Sequence, residues 1–506
     1  MSATIEPPAR PGAVLGTGLG LGLLADALLR APGAPALNLF LWAAALALAV
    51  TLLLVRGGRR PSAEAATLLG VGVFFAAVLA WRDSPVLKLL ALAATAGVFA
   101  LPALEAGAAW VSRSGVTRYG LAVAVAAARC ALGPLLPLVD VDWAALREGQ
   151  ASNARLRHAG AVVRGVVLAL PLLLVFGGLF IAADAVFADL VLGLLRIDLE
   201  RLASHLALVC FFGWVAVGYA YGFVTGTRLP VPRSLADRRP WLGLTEVGIA
   251  LGLLAALFAA FVAVQFRYLF GGAALVEVTP GLTYAEYARR GFFELVVVVA
   301  LMLPVLLAAD WLLRRERPRD EAVFRALTAV QLVLLVGVLA SALHRMRLYL
   351  AAYGLTEARF YATSFLLWLT VVLLWFVATV LRGRRRWFAF GALVSAFAVA
   401  AVLPVVNPDA LIVRTNLARA EAGAELDATY LSHLSADAAP AVIAALPRLD
   451  ADARCRIAAR LLGRWGPDVG LDWRAWSWSV ARARAAVRAN EAALRRDAEP
   501  CLPRDR

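Results

Sequence analysis

Val247-Gly-Ile-Ala-Leu-Gly-Leu-Leu-Ala-Ala-Leu-Phe-Ala-Ala-Phe-Val-Ala-Val264 runs for 18 residues without a charged or hydrogen-bonding side chain. A helix of that length rises about 27 Å, close to the ~30 Å hydrocarbon core of a bilayer. With its flanks the run extends from Leu242 to Phe266, and ten more stretches read the same way: Gly12–Leu29, Leu37–Val55, Ala65–Trp81, Pro85–Trp110, Ala161–Phe187, Leu206–Val224, Phe292–Leu313, Val323–His344, Phe365–Leu381 and Trp387–Val406. The expected fold is all-α, a polytopic transmembrane helical bundle of about 11 spans. A possible twelfth, Leu121–Val139, carries Arg129 at its centre, and mid-bilayer arginine costs at least ~2.5 kcal/mol.

Composition points the same way. The chain is 62% hydrophobic and 17% charged, against roughly 45–50% and about 25% in soluble proteins. That excludes a cytosolic enzyme, a nucleic-acid-binding module and a disulfide framework. Lys88 is the sole lysine among 50 basic residues, an arginine bias that fits a GC-rich bacterial genome. The net charge of +15 therefore reads as arginine-rich cytoplasmic loops rather than affinity for nucleic acid. With eleven spans and a cytoplasmic N-terminus, 21 arginines fall on inner segments and 10 on outer loops. With twelve the bias vanishes. Eleven spans place the C-terminus outside, in a bacterial inner membrane.

After Val406 the texture changes. Residues 407–506 carry 28 charges, against 57 in the first 406, which separates a transmembrane domain (1–406) from a C-terminal soluble all-helical domain (407–506). Asp427, Asp450 and Asp472 read as helix starts. Trp473 and Trp476 would share a face of the last helix, as core residues or as a partner- or membrane-docking face. In an exoplasmic tail Cys455 and Cys501 could pair.

The sequence lacks H-E-x-x-H, C-x-x-C, a P-loop and G-x-S-x-G, so it offers no catalytic residue, metal ligand or cofactor site. Gly16, Gly18, Gly20 and Gly22 form two overlapping G-x-x-x-G pairs, which point to close helix packing.

One constellation stands apart. Six of the ten outer arginines fall in two loops, which also hold six of the ten tyrosines. The candidate ligand-binding residues are Arg267, Tyr268, Tyr284, Glu286, Tyr287, Arg290 and Glu294 in the first, and Arg345, Arg347, Tyr349, Tyr353 and Arg359 in the second. Thr283 to Glu286 form a capping box, and Tyr287, Arg290 and Glu294 share the face of the helix that follows. Arginine forks could grip an anionic headgroup or carboxylate, with tyrosine supplying shape. An interfacial belt of Tyr and Arg is the plain alternative.

Several segments resemble a known family. These are Val264–Gly272, Leu282–Glu294, Arg345–Tyr349 with Tyr353–Thr356, and Asn407–Leu411. Ala182–Phe187 and Leu426–Leu431 are similar as well. The chain resembles domain of unknown function 4173, a bacterial multi-pass membrane family, over nearly its whole length. The resemblance implies a multi-helix membrane protein with a tail module, and no activity. The expected role is a non-enzymatic envelope protein that contacts membrane lipids and binds a lipid, peptide or protein partner through the outer cluster and the tail. A secondary transporter is the alternative, and a membrane-embedded transferase or hydrolase comes behind it.

Overall fold

The structure, a computed structural model, describes residues 11–30, 33, 35–103, 116–135, 199–225, 241–270, 292–470 and 472–501. These form helices, with no strand beyond a single bridge between Leu242 and Leu313. The fold is all-α and polytopic. Among the described residues, eleven helices precede Asn407: α1 (Pro11–Leu29), α2 (Leu37–Arg56), α3 (Ala63–Trp81), α4 (Pro85–Ala100), α5 (Val116–Leu132), α6 (Leu199–Thr225), α7 (Leu244–Phe270), α8 (Phe292–Leu312), α9 (Pro318–Tyr353), α10 (Glu357–Thr379) and α11 (Phe388–Val406). Among the described residues, nine helices are long and apolar enough to cross a membrane. At 16 residues α4 is shorter. The expected span Ala161–Phe187 lies outside the described residues, as does the end of Leu121–Val139.

The helices sort into two units. In the first, α1 packs along α6 through the expected glycines. A Cβ on Gly18 would overlap Val217, and one on Gly22 would overlap the Val209 carbonyl, whereas one on Gly16 or Gly20 would meet nothing within 4 Å among the described residues. Only one of the two interleaved glycine rows is therefore the contact. Asp26 receives Nδ1 of His205 at 2.6 Å, and Arg30 donates to Ser204 Oγ at 3.0 Å. Toward the far end of α6, Arg59 donates to the Val224 carbonyl at 2.8 Å. The end of α1 thus meets the start of α6, so the pair runs antiparallel.

In the second unit α7, α8, α9 and α10 share a core built on Leu251, Leu306, Leu335, Leu339, Leu366 and Phe376. α3 and α4 form a hairpin against α11, with the Phe75 and Phe397 rings 5.6 Å apart. At one end of these helices Arg315 bridges Asp310 (2.7 Å) and Glu321 (2.6 Å), and Arg385 joins Glu321 at 2.6 Å. The opposite end carries Arg82, the α9–α10 turn and the tail. α9 has 36 residues and so rises about 54 Å, well beyond a bilayer core.

The tail comprises α12 (Pro408–Glu421), α13 (Ala428–His433), α14 (Ala439–Ala445), α15 (Ala451–Trp465), α16 (Trp478–Ala489) and α17 (Glu491–Ala498). Its core gathers Ile412, Leu434, Val442, Ile457, Leu461 and Val487. Asp427 and Asp450 accept the capping bonds expected of them, from the amides of Tyr430 (2.8 Å) and Ala453 (2.7 Å). Asp472 opens only a single turn, Trp473–Ala475, and α16 starts afresh at Ser477, whose hydroxyl accepts from Val480 N at 3.3 Å. The Trp476 carbonyl instead accepts from Leu37 N, so a tertiary bond interrupts the helix expected from Trp473. Trp465 is buried, but Trp473, Trp476 and Trp478 are 62%, 38% and 51% exposed, and none of the three serves the core. Cys455 and Cys501 are joined as a disulfide.

Candidate functional site

Tyr284, Glu286, Tyr287 and Arg290 lie outside the described residues, and for Arg267 and Tyr268 only the backbone of α7 is described. Glu294 is exposed in the first turn of α8, and Arg347 is exposed on α9. Arg345 turns inward instead. Its Nη2 donates to Gln265 Oε1 at 2.8 Å, and Ser341 Oγ donates to the same oxygen at 3.2 Å. Arg359 takes another course. It stacks 4.0 Å above the Tyr349 ring and donates to the carbonyls of Tyr353 (2.9 Å) and Gly354 (2.7 Å). Those carbonyls belong to the end of α9, where the last C=O groups have no helical partner. The structure thus brings Tyr349, Tyr353 and Arg359 together and assigns Arg345 to a separate polar contact between α7 and α9.

The same turn is gripped from the tail. Asn416 accepts from Leu355 N (2.8 Å) and donates to Leu355 O (2.7 Å), Arg419 donates to Ala351 O (2.6 Å), and the Tyr430 hydroxyl accepts from Glu357 N (2.7 Å). Gly354 is required here. Its φ is +74°, and a Cβ would run into Arg419 and Asn416.

A second and more deeply buried seam joins the tail to the α3–α4 turn, Arg82-Asp-Ser-Pro85. The Asp437 carboxylate accepts from Arg82 Nη1 (2.9 Å), Asp83 N (2.7 Å) and Ser84 N (3.0 Å), and from the Ser479 hydroxyl. Arg82 also donates to Pro404 O at 2.7 Å and stacks on Trp81, and Lys88 pairs with Asp83 at 2.9 Å. Buried charges persist only when paired and hydrogen-bonded, and this one is met by a guanidinium, two backbone amides and neighbouring serine hydroxyls. Next to it Asp409 is wholly buried. One of its oxygens accepts from the Ser435 hydroxyl and amide, while the other has no partner among the described residues. Burial, with the Glu357 and Asp437 carboxylates nearby, pushes Asp409 up to about 6.

Beside this hub opens a cavity of about 400 Å³. Arg82, Arg414, Arg448 and Arg482 line it, with Asn407 and Ser479 between them and alanines of α14 as an apolar wall. Arg448 pairs with Glu421 at 2.6 Å. Arg414 and Arg482 have no ion-pair or hydrogen-bond partner among the described residues. The one carboxylate in the wall, Asp437, is already taken by its own donors, so the cavity presents uncompensated guanidinium groups. Sequence reading misses this site because its arginines come from α3's end, α12, the turn after α14, and α16. No group of three His, Cys, Asp or Glu side chains that could hold a metal occurs among the described residues.

A family model described as "Domain of unknown function (DUF4153)" matches residues 65–445, about three quarters of the chain. Its number differs from the one the resemblance pointed to. The matched stretch contains Arg82, Asp409, Arg414 and Asp437, and ends before Arg448 and Arg482. No curated protein matches, and no solved structure matches.

Proposed function

This chain belongs to the DUF4153 family and is a multi-pass membrane protein, and from that premise we propose that it is a non-enzymatic envelope protein whose tail binds an anionic group in the arginine cavity. The observation that carries this reading is the pair Arg414 and Arg482, which face one cavity with Arg82 and have no partner among the described residues. Guanidinium forks match phosphate and carboxylate geometry, and they bind most strongly where water is partly excluded. The ligand chemistry is a phosphate or carboxylate, carried by a lipid headgroup or by a peptide terminus. In this reading Tyr349, Tyr353 and Arg359 of the expected cluster hold the tail in place and are not the ligand contacts.

The proposed location is a bacterial inner membrane, with the N-terminus cytoplasmic and the tail exoplasmic. Two observations support the sidedness. The arginine-rich turns around Arg315 and Arg385 lie at the end of the helices opposite the tail, as a cytoplasmic side requires. The Cys455–Cys501 pair suits an oxidising compartment.

Native mass spectrometry of the full chain released from nanodiscs tests the reading. Phosphatidylglycerol, free glycerol phosphate and a peptide with a free C-terminus are the three arms. Adducts on the wild type that are lost in R414A/R482A support the site, and the arm that gives them names the source. Equal adducts on both proteins overturn it.

One observation favours transport as a second reading. Thr328 and Gln331 on α9 are wholly buried within a span, and their side-chain polar atoms have no hydrogen-bond partner among the described residues. Polar groups inside a membrane often mark substrate paths. Were they such a path, Gln331→Leu would abolish substrate flux into proteoliposomes without lowering stability.

A further inference from the structure

The face of α16 turned away from the arginine cavity carries a different set of groups. Trp473 and Trp476 line a shallow depression of about 290 Å³ together with Arg484 and Arg488. Trp473, Trp476 and Trp478 are all substantially exposed. Three indoles within six residues thus offer partly exposed apolar faces with polar N–H tips. Patches of this kind are covered by something in the working protein.

Position and charge say by what. The backbone of this turn is tied to two membrane spans at once. Leu37 N, the first residue of α2, donates to Trp476 O at 3.2 Å, and Ser479 Oγ sits 2.9 Å from Trp81 O, at the last residue of α3. Both spans end where the turn sits, so the indoles lie at the level where hydrocarbon gives way to headgroups. Indole is preferred there because its body is apolar and its N–H stays wet. The charge is complementary as well. Arg484 and Arg488 stand at i,i+4 with no partner among the described residues, while the adjacent acid, Asp472, is taken by Arg474 at 2.5 Å.

We propose that Trp473, Trp476 and Trp478, with Arg484 and Arg488, form an interfacial anchor that seats the tail on anionic phospholipid of the surrounding bilayer. The indoles enter the headgroup region, and the two guanidinium groups meet lipid phosphates. This goes beyond the proposed arginine cavity, shares no residue with it, and stands or falls separately.

The test uses the full chain in nanodiscs of phosphatidylcholine with phosphatidylglycerol. In a C130A/C210A background, which leaves the Cys455–Cys501 pair intact, W473C carries an environment-sensitive nitrobenzoxadiazole label. D468C, at an 89% exposed side chain, carries the same label as a reference. The expected result is a blue-shifted 473 label quenched by lipids brominated near the headgroup and shielded from iodide, with the 468 label iodide-accessible. R484E/R488E should reduce the bromolipid quenching at 473 and leave 468 unchanged. A 473 label open to iodide and untouched by bromolipid overturns the anchor. A label shielded from both quenchers also overturns it, because protein rather than lipid then covers the patch. An iodide-accessible 468 label with an unchanged melting temperature shows that neither result comes from a misfolded tail.

Discussion

Asp437 in the tail accepts a 2.9 Å hydrogen bond from Arg82, which stands 355 positions earlier in the turn between α3 and α4. Both side chains are almost wholly buried. Removing one partner of such a pair leaves an uncompensated buried charge and costs about 3–5 kcal/mol. Asp437→Ala should therefore loosen the tail from the α3–α4 turn, seen as faster hydrogen exchange in α14 and α16. R82M/D437L should recover only part of the loss, since the Asp83 and Ser84 amides still lack their acceptor. Unchanged exchange in Asp437→Ala would show that the pair does not hold the tail.

Asp409 gives the seam a pH dependence. Its folded-state value of about 6 lies above the ordinary carboxylate 3.8. A raised carboxylate favours the folded state fully below pH ~4, and that contribution is lost as pH rises through 6. The loss amounts to roughly 3 kcal/mol by pH 8. The melting temperature of the wild type should thus fall between about pH 4 and 7 and level off above that, and Asp409→Asn should flatten that slope. Parallel slopes in the two proteins would contradict the assignment.

The α1–α6 contact separates two glycines that sequence alone treats alike. Gly22→Ala drives a methyl group into the Val209 carbonyl, whereas Gly20→Ala meets no described residue. Overpacking costs about 1–3 kcal/mol, so Gly22→Ala should melt earlier in detergent and Gly20→Ala should not. Equal melting temperatures would mean that the other glycine row makes the contact.

The disulfide closes a loop with a sequence separation of 46, and such cross-links contribute about 2–4 kcal/mol. Protein taken from membranes and denatured without reductant should expose two of its four cysteines to maleimide, and all four after reduction. Cys501→Ser should raise proteolysis after α17. Four reactive cysteines before reduction would place the tail in a reducing compartment.

What could be read from the sequence follows the range of the interactions. Nine of the spans were visible because lipid selects on local composition, and the helix starts at Asp427 and Asp450 because a cap bonds three residues onward. The helix expected from Trp473 failed where the Trp476 carbonyl found a long-range partner in Leu37. Arg345 and Arg359 share a loop in sequence but part ways in space, since Gln265 on α7 draws one inward and the end of α9 engages the other. The arginine cavity left no trace, because its lining comes from four separate elements and no local pattern links them.

The most direct test of the anion-binding role is the affinity of the full chain, in neutral-lipid nanodiscs, for sn-glycerol 1-phosphate, measured by calorimetry. Saturable binding is expected, weakened at least about tenfold in R414A/R482A, which corresponds to ~1.4 kcal/mol, with the melting temperature unchanged. Equal affinity in the wild type and R414A/R482A, or no saturable binding by the wild type, would contradict it.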